Sequence, residues 1–200
     1  MIKERLSIES EELLAERDAA HLGLFTPVSP DEIPPAAVEL FDQKSRLLTN
    51  EPGLSPQEFD LLFALKYPDG DTTFFATFKR HGLEPDDSPV EIDTLVVDID
   101  RESGMVGRGE IRFLLPGDVV PNMVGFPFVG MTYTEEGHTR NGLGMRRLLA
   151  MNTAAKYVYN MPLRSGLHPS PSAESLWINC VGDGLAKPPS EETNERYKFV

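Results

Sequence analysis

The chain has 200 residues, 40% of them hydrophobic and 26% charged, and its formal net charge at pH 7 is −13. This length suits one domain, or one domain with an appendage, and the composition is typical of a globular protein. The acidic excess argues against nonspecific binding to nucleic acid or to an anionic membrane, because that attraction requires clustered Lys and Arg. It favours a cationic partner or an amine substrate, unless the charge only keeps the protein dissolved.

Cysteine, histidine and hydropathy narrow the chemistry further. The single cysteine, Cys180, cannot form an intrachain disulfide and is predicted to be a buried, unreactive thiol. The four histidines are scattered without the spacing of a zinc site, so no metal is predicted. No apolar run approaches the ~18 residues that a membrane helix needs, and the first residues lack the apolar core of a secretory signal. The sequence therefore predicts a cytoplasmic protein.

The N-terminal part is predicted to be helical. Residues 9–20 combine good helix formers with early acidic residues, which favours a short surface helix. Several prolines then interrupt regular structure, and a second helix is predicted over residues 36–48 with Phe41 buried. Residues 1–58 are assigned to an N-terminal helical segment that packs on a main domain of residues 59–200.

The middle of the chain is predicted to form antiparallel strands. Apolar residues alternate over residues 61–65 and again over 74–78, and Pro68-Asp69-Gly70-Asp71 between them has strong turn chemistry. A second strand pair is predicted over residues 92–99 and 105–115. Two β-hairpins therefore precede the rest of the domain.

Residues 129–158 combine a strand, a glycine-rich loop and a helix. Apolar residues alternate up to Tyr133, residues 137–144 have the composition of a turn, and apolar residues then recur at helical spacing. The first N–H groups of a helix have no intrahelical partner and point at whatever precedes the helix. This order of elements therefore predicts an anion site at the start of the helix.

Glycines and arginines at this helix start strengthen the prediction. Gly142 and Gly144 carry no Cβ, so the main chain can approach an anion closely. Arg146 and Arg147 fall in the first turn, where the helix dipole disfavours a cation unless an anion lies nearby. We interpret the stretch as a phosphate cradle. The alternative is an ordinary turn followed by a solvated, charged helix face.

The C-terminal part is predicted to contain two short strands and a helix. Asn160 is a stop signal for the preceding helix, and residues 162–167 can form a short strand. Ser170 is a good N-cap, and Pro171 after it suits the first position of a helix. Residues 196–200 are predicted to be a final strand.

The order of elements over residues 59–200 resembles the GNAT superfamily of acyl-CoA-dependent N-acyltransferases. In that family the fourth strand splays from its neighbour, and the loop and helix after it bind the pyrophosphate of acetyl-CoA through backbone amides. The family loop is written Gln/Arg-x-x-Gly-x-Gly/Ala. The corresponding residues here are Thr139-Arg140-Asn141-Gly142-Leu143-Gly144, which match both glycines. Thr139 departs from the pattern, and Arg140 is displaced by one position.

The resemblance implies an α+β fold with a mixed, mostly antiparallel central sheet flanked by helices, and acetyl-CoA as the acyl donor. Its partners would be acyl-CoA and a small-molecule or protein amine, with no nucleic acid and no membrane, and the chain would act as a monomer or a homodimer. The residues that the resemblance places at the cofactor are Thr139, Arg140, Asn141, Gly142, Leu143, Gly144, Met145, Arg147 and Ser170.

A second stretch also resembles the family, which often has Asn-x-x-Ala-x-x-Leu-Tyr at this point. The residues here are Ser170-Pro171-Ser172-Ala173-Glu174-Ser175-Leu176-Trp177, and the Ala and Leu positions fit. Trp177 stands where many members have a tyrosine that protonates the departing thiolate. The indole N–H does not titrate in a useful range, so either another acid serves or the chemistry is lost.

The reaction that the resemblance implies is attack of a neutral amine on the thioester carbonyl of acyl-CoA, with a general base removing the amine proton. Glu135 and its neighbour Glu136 are the candidate bases, because family bases often lie on this strand and two adjacent carboxylates can raise each other's pKa. His138 is an alternative base. The opposing interpretation is that the two glutamates are simply a charged strand end.

Tyr133 is the candidate acid, and Tyr157 and Tyr159 on the helix are alternatives, although aromatic residues at such spacing more often belong to a core. Two other functions stay open. One is a GNAT-like protein that binds acyl-CoA or a protein partner without catalysis, which Thr139 and Trp177 motivate. The other is an acidic interaction or inhibitor module without a cofactor, which the net charge alone motivates. No motif identifies the acceptor amine.

Overall fold

The fold is described by a computed structural model over residues 24–49, 61–81, 89–115, 124–138, 142–166, 169–190 and 196–200, with the backbone alone at residues 24, 25, 30, 44–49, 80, 81, 89 and 90. Within these ranges the protein is α+β. The elements in chain order are β1 (Leu24–Pro27), a 3-10 turn (Pro30–Glu32), α1 (Pro35–Thr49), β2 (Leu61–Lys66), β3 (Thr72–His81), β4 (Pro89–Asp100), β5 (Gly104–Leu114), β6 (Pro127–Thr134), α2 (Leu143–Tyr159), α3 (Pro171–Gly182), β7 (Ala186–Lys187) and β8 (Lys198–Phe199).

One antiparallel sheet organises the described chain. Its six strands lie in sequence order from β1 to β6, and each pairs with its neighbours. β7 and β8 form a two-stranded ladder, and Arg164 links it to β6 through a parallel bridge to Phe128 and an antiparallel bridge to Lys198. The sequence predicts a strand over residues 162–167. In the described part of that segment, the structure forms these bridges at Arg164. The predicted α+β class, the mostly antiparallel sheet and both hairpins are confirmed.

Side chains alternate between the two faces of the sheet, and helices cover both faces. The face that packs on α1 contributes, together with that helix and the 3-10 turn, the buried residues Ile33, Ala37, Phe41, Ala64, Phe74, Ala76, Phe78, Leu95 and Val97. The face that packs on α2 and α3 contributes Phe63, Leu65, Phe75, Val96 and Ile111 to a second cluster. The sheet therefore separates α1 from α2, and β3 and β4 are buried on both sides.

β1 was not predicted from the sequence. It has four residues, and Pro27 pairs opposite Phe63 at the edge of the sheet, where a residue without an N–H is tolerated. The helix predicted over residues 36–48 is observed as α1, with Phe41 fully buried. The sheet and its core therefore extend across the predicted boundary at residue 58. The helix predicted over residues 9–20 lies outside the described residues.

Two glycines of β5 let α2 lie close to the sheet. A Cβ at Gly107 would lie 1.7 Å from Nη2 of Arg147, and a Cβ at Gly109 would lie 3.2 Å from Sδ of Met151. Arg147 and Met151 are four residues apart, so they project from the same face of α2. The two glycines therefore form a shallow groove that receives this face of the helix.

The two helices on this side of the sheet end and begin where the sequence predicts. α2 ends at Asn160, which has a left-handed backbone (φ 54°) and donates its N–H to the carbonyl of Lys156. α3 begins after Ser170, whose hydroxyl accepts a hydrogen bond from the N–H of Ala173 at 3.3 Å, with Pro171 in the first helical position. Both boundaries are confirmed, because local cap chemistry determines them.

Replacing Phe41 tests whether α1 shares the core of the sheet. Because the ring is fully buried between α1 and the strands, Phe41→Ala should lower the free energy of unfolding by about 3–5 kcal/mol and leave a single cooperative transition. Glu39→Ala, at an exposed position of the same helix, is the control and should change the value by less than about 0.5 kcal/mol. Urea denaturation followed by circular dichroism measures both variants. Separate transitions, or an unchanged Phe41→Ala, would contradict a shared core.

Candidate functional site

The loop after β6 leads to the start of α2 at Gly142. This residue has a left-handed backbone (φ 77°), and a Cβ there would have no described atom within 4 Å. The N–H of Arg146 donates to the carbonyl of Gly142 at 3.1 Å, which closes the first turn of the helix. The N–H groups of Leu143, Gly144 and Met145 precede this bond, and no side chain in the described part of the chain accepts from them. These are the donors that an anion at this helix end would use.

Gly144 serves the packing of two helices. A Cβ at this position would lie 3.2 Å from Cδ1 of Leu176 on α3. Next to it, the thiol of Cys180 donates to Sδ of Met145 at 3.5 Å, and burial raises the pKa of this thiol to about 11. The glycine predicted to admit a ligand therefore also lets α2 and α3 approach each other. The buried thiol predicted at Cys180 is confirmed.

Arg147 lies between α2 and the sheet, and only 1% of the residue is exposed. Its Nε is 2.5 Å from Oδ2 of Asp98 on β4, and its Nη1 donates to Oγ1 of Thr134 at the end of β6 at 3.2 Å. Nη2 has no hydrogen-bond partner among the described residues. The guanidinium charge is thus compensated inside the fold, beneath the helix start. The sequence instead predicts that Arg147 lies at a ligand.

Arg146 is also compensated within the fold. Its Nη1 is 2.8 Å from Oδ2 of Asp69, and its Nη2 contacts the carboxylate of Asp71, both in the turn between β2 and β3. Its guanidinium lies 4.0 Å from the ring centroid of Tyr67. The sequence predicts that a bound anion offsets the two arginines of the first turn. In the structure these two aspartates and Asp98 offset them.

Buried hydrogen bonds from Arg147 to Tyr67, and the contact of the Tyr67 ring with the guanidinium of Arg146, connect the two arginines. Thr73 donates its hydroxyl proton to Oδ1 of Asp98 at 2.8 Å, so the hydroxyl of Tyr67, at 2.9 Å, is the donor to Thr73. Burial raises the pKa of Tyr67 to about 12, although the hydrogen bond with Thr73 opposes the shift. We call Tyr67, Thr73, Asp98, Arg146 and Arg147 the anchor network. It joins β3, β4 and the turn that follows β2 to the start of α2.

Tyr133 and Glu135, the predicted acid and base, lie at the end of β6. Tyr133 is 43% exposed, and the guanidinium of Arg108 lies 5.2 Å from its ring centroid. Glu135 is half-buried, and its backbone N–H donates to the carbonyl of Val106 at 2.9 Å. Glu136 beside it is exposed. The strand end therefore carries both candidate groups just before the loop that leads to α2.

β6 is paired along only part of its outer edge. The N–H of Val129 donates to the carbonyl of Arg164, and the N–H of Arg164 donates to the carbonyl of Pro127, both at 3.0 Å. Over residues 130–134, the described part of the chain supplies no backbone partner on this side. Thr134, at the end of this open edge, accepts from Arg147, so the edge leads directly to the first turn of α2.

The other candidate side chains take part in packing or capping. Trp177 is 2% exposed, with its ring stacked on Tyr197 at 5.9 Å and tilted against Phe199 at 5.0 Å. The hydroxyl of Ser170 caps α3. The hydroxyl of Tyr159 lies 2.7 Å from that of Thr94, and burial raises its pKa. Trp177 therefore belongs to the core.

Sequence reasoning located the arginines but missed their partners. Asp69 and Asp71 lie in a turn whose composition already explains them. Asp98 is different, because it interrupts an apolar strand, and a carboxylate in a buried strand needs a cation or hydrogen bonds. That signal could have paired it with one of the two arginines. The remaining predicted cofactor residues, Thr139, Arg140 and Asn141, lie outside the described residues.

A cavity of about 550 Å³ lies at the 3-10 turn and α1, on the opposite side of the sheet from α2. Asp31, Glu39 and Asp42 are among its lining residues, together with apolar side chains that include Val38. None of the predicted site residues lines it. Acidic side chains of this chain therefore also lie together at a site far from the start of α2.

Comparisons with protein-family models, with curated proteins and with solved structures found no match. The interpretation of the site therefore depends on its own geometry. Among the residues that the structure describes, no group of three or more His, Cys, Asp or Glu side chains is placed to hold a metal ion. Of the helices described, none is both long and apolar enough to cross a membrane.

The raised pKa of Tyr67 predicts a loss of stability in alkali. The unfolded chain ionises a tyrosine near pH ~10, whereas burial keeps Tyr67 neutral in the folded protein up to its pKa of about 12. Its contribution to stability is therefore fully present below about pH 10 and is lost toward about pH 12, at about 1.4 kcal/mol per pH unit. Since Tyr67→Phe cannot ionise, the stability advantage of the wild type over this variant should shrink across that interval.

Urea denaturation at fixed pH values measures this difference. From about pH 7 to 9 the difference should be constant, because Tyr67 is neutral in both the folded and the unfolded state there. This lower interval is the internal control for pH effects that the two proteins share. A difference that stays constant up to about pH 12 would show that Tyr67 ionises equally in both states, which contradicts its burial in the anchor network.

Proposed function

We propose that this protein is an acyl-CoA-dependent N-acyltransferase that binds the pyrophosphate of acyl-CoA at the start of α2. The observation that carries the proposal is the geometry at Gly142, where a left-handed residue without a side chain leads into three backbone amides that no described side chain caps. An anion that accepts from these amides also gains from the positive end of the helix dipole. The resemblance to the GNAT superfamily supports the same position, because the two glycines of the family loop correspond to Gly142 and Gly144.

Backbone amides hold the phosphates in this proposal, and the arginines do not. Arg146 and Arg147 are already paired with Asp69, Asp71 and Asp98. The helix fixes the directions of the amides before a ligand arrives, so binding requires little further ordering of the protein. The contribution of the arginines is to hold the helix start in place.

The open edge of β6 offers the rest of acyl-CoA a second contact. Its N–H and C=O groups over residues 130–134 have no described backbone partner on the outer side. The amide groups of the CoA arm can pair with such an edge in the way that an added strand does. Because Thr134 adjoins the first turn of α2 through Arg147, one ligand can contact both elements. This path directs the thioester toward Tyr133 and Glu135.

The proposed reaction forms a C–N bond and breaks a C–S bond. A neutral amine attacks the thioester carbon, and Glu135 accepts the proton that the nitrogen loses. The tetrahedral intermediate then collapses with loss of the CoA thiolate, which takes a proton from Tyr133 or from water. The charge of −13 is consistent with a cationic acceptor, which must lose a proton before it attacks.

Binding of acyl-CoA without turnover is the second candidate function. The position of Trp177 favours it, because this residue replaces the family tyrosine and its ring is buried against Tyr197 and Phe199. None of the described side chains can therefore act as an acid at that position. The two candidates share the site at α2 and differ only in the release of free CoA.

Isothermal titration with CoA and acetyl-CoA tests the site. Gly142→Asp should weaken binding at least about tenfold, or ~1.4 kcal/mol, because a carboxylate at the N-cap occupies the amides and repels the pyrophosphate. Gly142→Asn is the matched control for shape: Asn tolerates the same left-handed backbone without adding charge, and it should lose less affinity. Gly184→Asp is the control for added charge, because Gly184 has a similar backbone (φ 74°) and equally open described surroundings at the end of α3.

Two results contradict the proposed binding site. One is a folded wild-type protein that binds neither CoA nor acetyl-CoA. The other is Gly142→Asp with wild-type affinity, provided that its melting temperature matches that of Gly184→Asp, so that both variants are equally folded.

Thiol release from acetyl-CoA in the presence of amine mixtures tests turnover. Glu135→Gln should lower kcat by about 10²–10⁴-fold with unchanged affinity for CoA, because a neutral amide cannot accept the proton. Glu136→Gln, at the exposed neighbouring position, is the matched comparison and should lower kcat far less, because it leaves the proposed base in place. Equal rates in the two variants would remove Glu135 as the base. A wild type that binds acetyl-CoA but releases no thiol with any amine would favour the binding protein.

A further inference from the structure

One side chain of the anchor network enters the core from the first turns of α2. Arg147 follows Met145, the last of the three amides that no described side chain caps, by two residues, and it is fully buried. Its guanidinium meets three strands at once: Asp98 on β4, Thr134 on β6 and the bare backbone of Gly107 on β5. The position and tilt of the helix start therefore depend on contacts made beneath it.

We propose that Arg147, held by Asp98, is a positioning residue that sets the direction in which the N–H groups of Leu143, Gly144 and Met145 point. The identity of the ligand in this inference rests on the proposed acyl-CoA function. The positioning itself is a property of the free protein. Arg147 acts through the helix backbone and does not contact the ligand.

The guanidinium group suits this role because it is a planar, rigid fork. Nε and Nη1 bind acceptors on two different strands, so rotation of the first turn about the helix axis breaks one of these bonds. Thr134 is the last residue of β6, just before the loop that leads to α2. Its hydrogen bond with Arg147 therefore fixes the end of β6 relative to the start of α2. A side chain with a single polar atom, or none, cannot fix both.

Met151 provides a comparison within the same helix. It lies one turn further along α2 and is fully buried over Gly109, much as Arg147 is buried over Gly107. Met151→Ala removes packing between helix and sheet but leaves the contacts of Arg147 with Asp98 and Thr134 in place. This variant therefore separates a loss of packing from a loss of positioning.

Variants of the ion pair distinguish positioning from stabilisation. Arg147→Met and Asp98→Asn each remove one partner, so both should lower the melting temperature and the affinity for CoA. The double variant carries neither charge and should regain most of the lost melting temperature. We expect CoA to bind it about tenfold more weakly than the wild type, because the link to Thr134 and β4 is gone. Met151→Ala should lose stability and keep its affinity for CoA.

The orientation of the amides gives a readout that does not need a ligand. Residual dipolar couplings of Leu143, Gly144 and Met145 in the free protein report the directions of their N–H bonds. In the double variant these couplings should depart from those of the wild type, while the couplings of β3 and β4 stay the same. In Met151→Ala all of them should stay at wild-type values.

Each outcome decides the proposal. Wild-type couplings at Leu143, Gly144 and Met145 in the double variant overturn it, and so does recovery of wild-type affinity for CoA together with stability. If the couplings change but the wild type does not bind CoA, the positioning role is supported and the proposed acyl-CoA function fails. If the wild type binds CoA and the couplings of the double variant do not change, the proposed acyl-CoA function is supported and the positioning role fails.

Discussion

The buried ion pair between Arg147 and Asp98 is the contact on which the arrangement of this protein depends. Burying two charges costs free energy, and such a pair persists only when further hydrogen bonds complete it. Here Thr73 donates to the carboxylate, and Thr134 accepts from the guanidinium. The space for the guanidinium exists because Gly107 has no side chain. The pairing of β5 with β6, the docking of α2 and the start of that helix are thereby linked through one side chain.

Elements defined by local chemistry could be predicted from the sequence, and elements defined by long-range pairing could not. Asn160 and Ser170 mark helix ends because left-handed and N-cap conformations depend on a few neighbouring atoms. Both hairpins followed from alternation and turn residues. β1 has four residues and too little periodicity to detect, and it is a strand because β2 offers it an edge. The division of the chain at residue 58 stays a prediction.

The candidate site shows the same division. The glycine pattern located the start of α2, since a left-handed residue before a helix has a local cause at Gly142. The partners of the arginines lie far away in sequence: Asp98 is 49 residues from Arg147, and Asp69 is 77 residues from Arg146. A carboxylate in an apolar strand indicates that Asp98 needs a partner, but the sequence does not show which arginine lies beside it. From the sequence, a ligand was therefore assigned to two arginine charges that aspartates of the fold compensate. The roles of Tyr133 and Glu135 stay predictions.

The charge around the helix start constrains what can bind there. Arg146 and Arg147 are paired with three aspartates, so the local side-chain charge does not attract an anion. The field of a chain with a net charge of −13 opposes the approach of CoA at long range. The remaining attraction comes from the amide dipoles of the first turn, which act over a short distance. Recognition at such a site depends on how well three N–H directions match the oxygen atoms of the ligand. A contact that holds those N–H directions, such as that of Arg147 with Asp98, therefore matters more here than at a site where free arginines bind the anion.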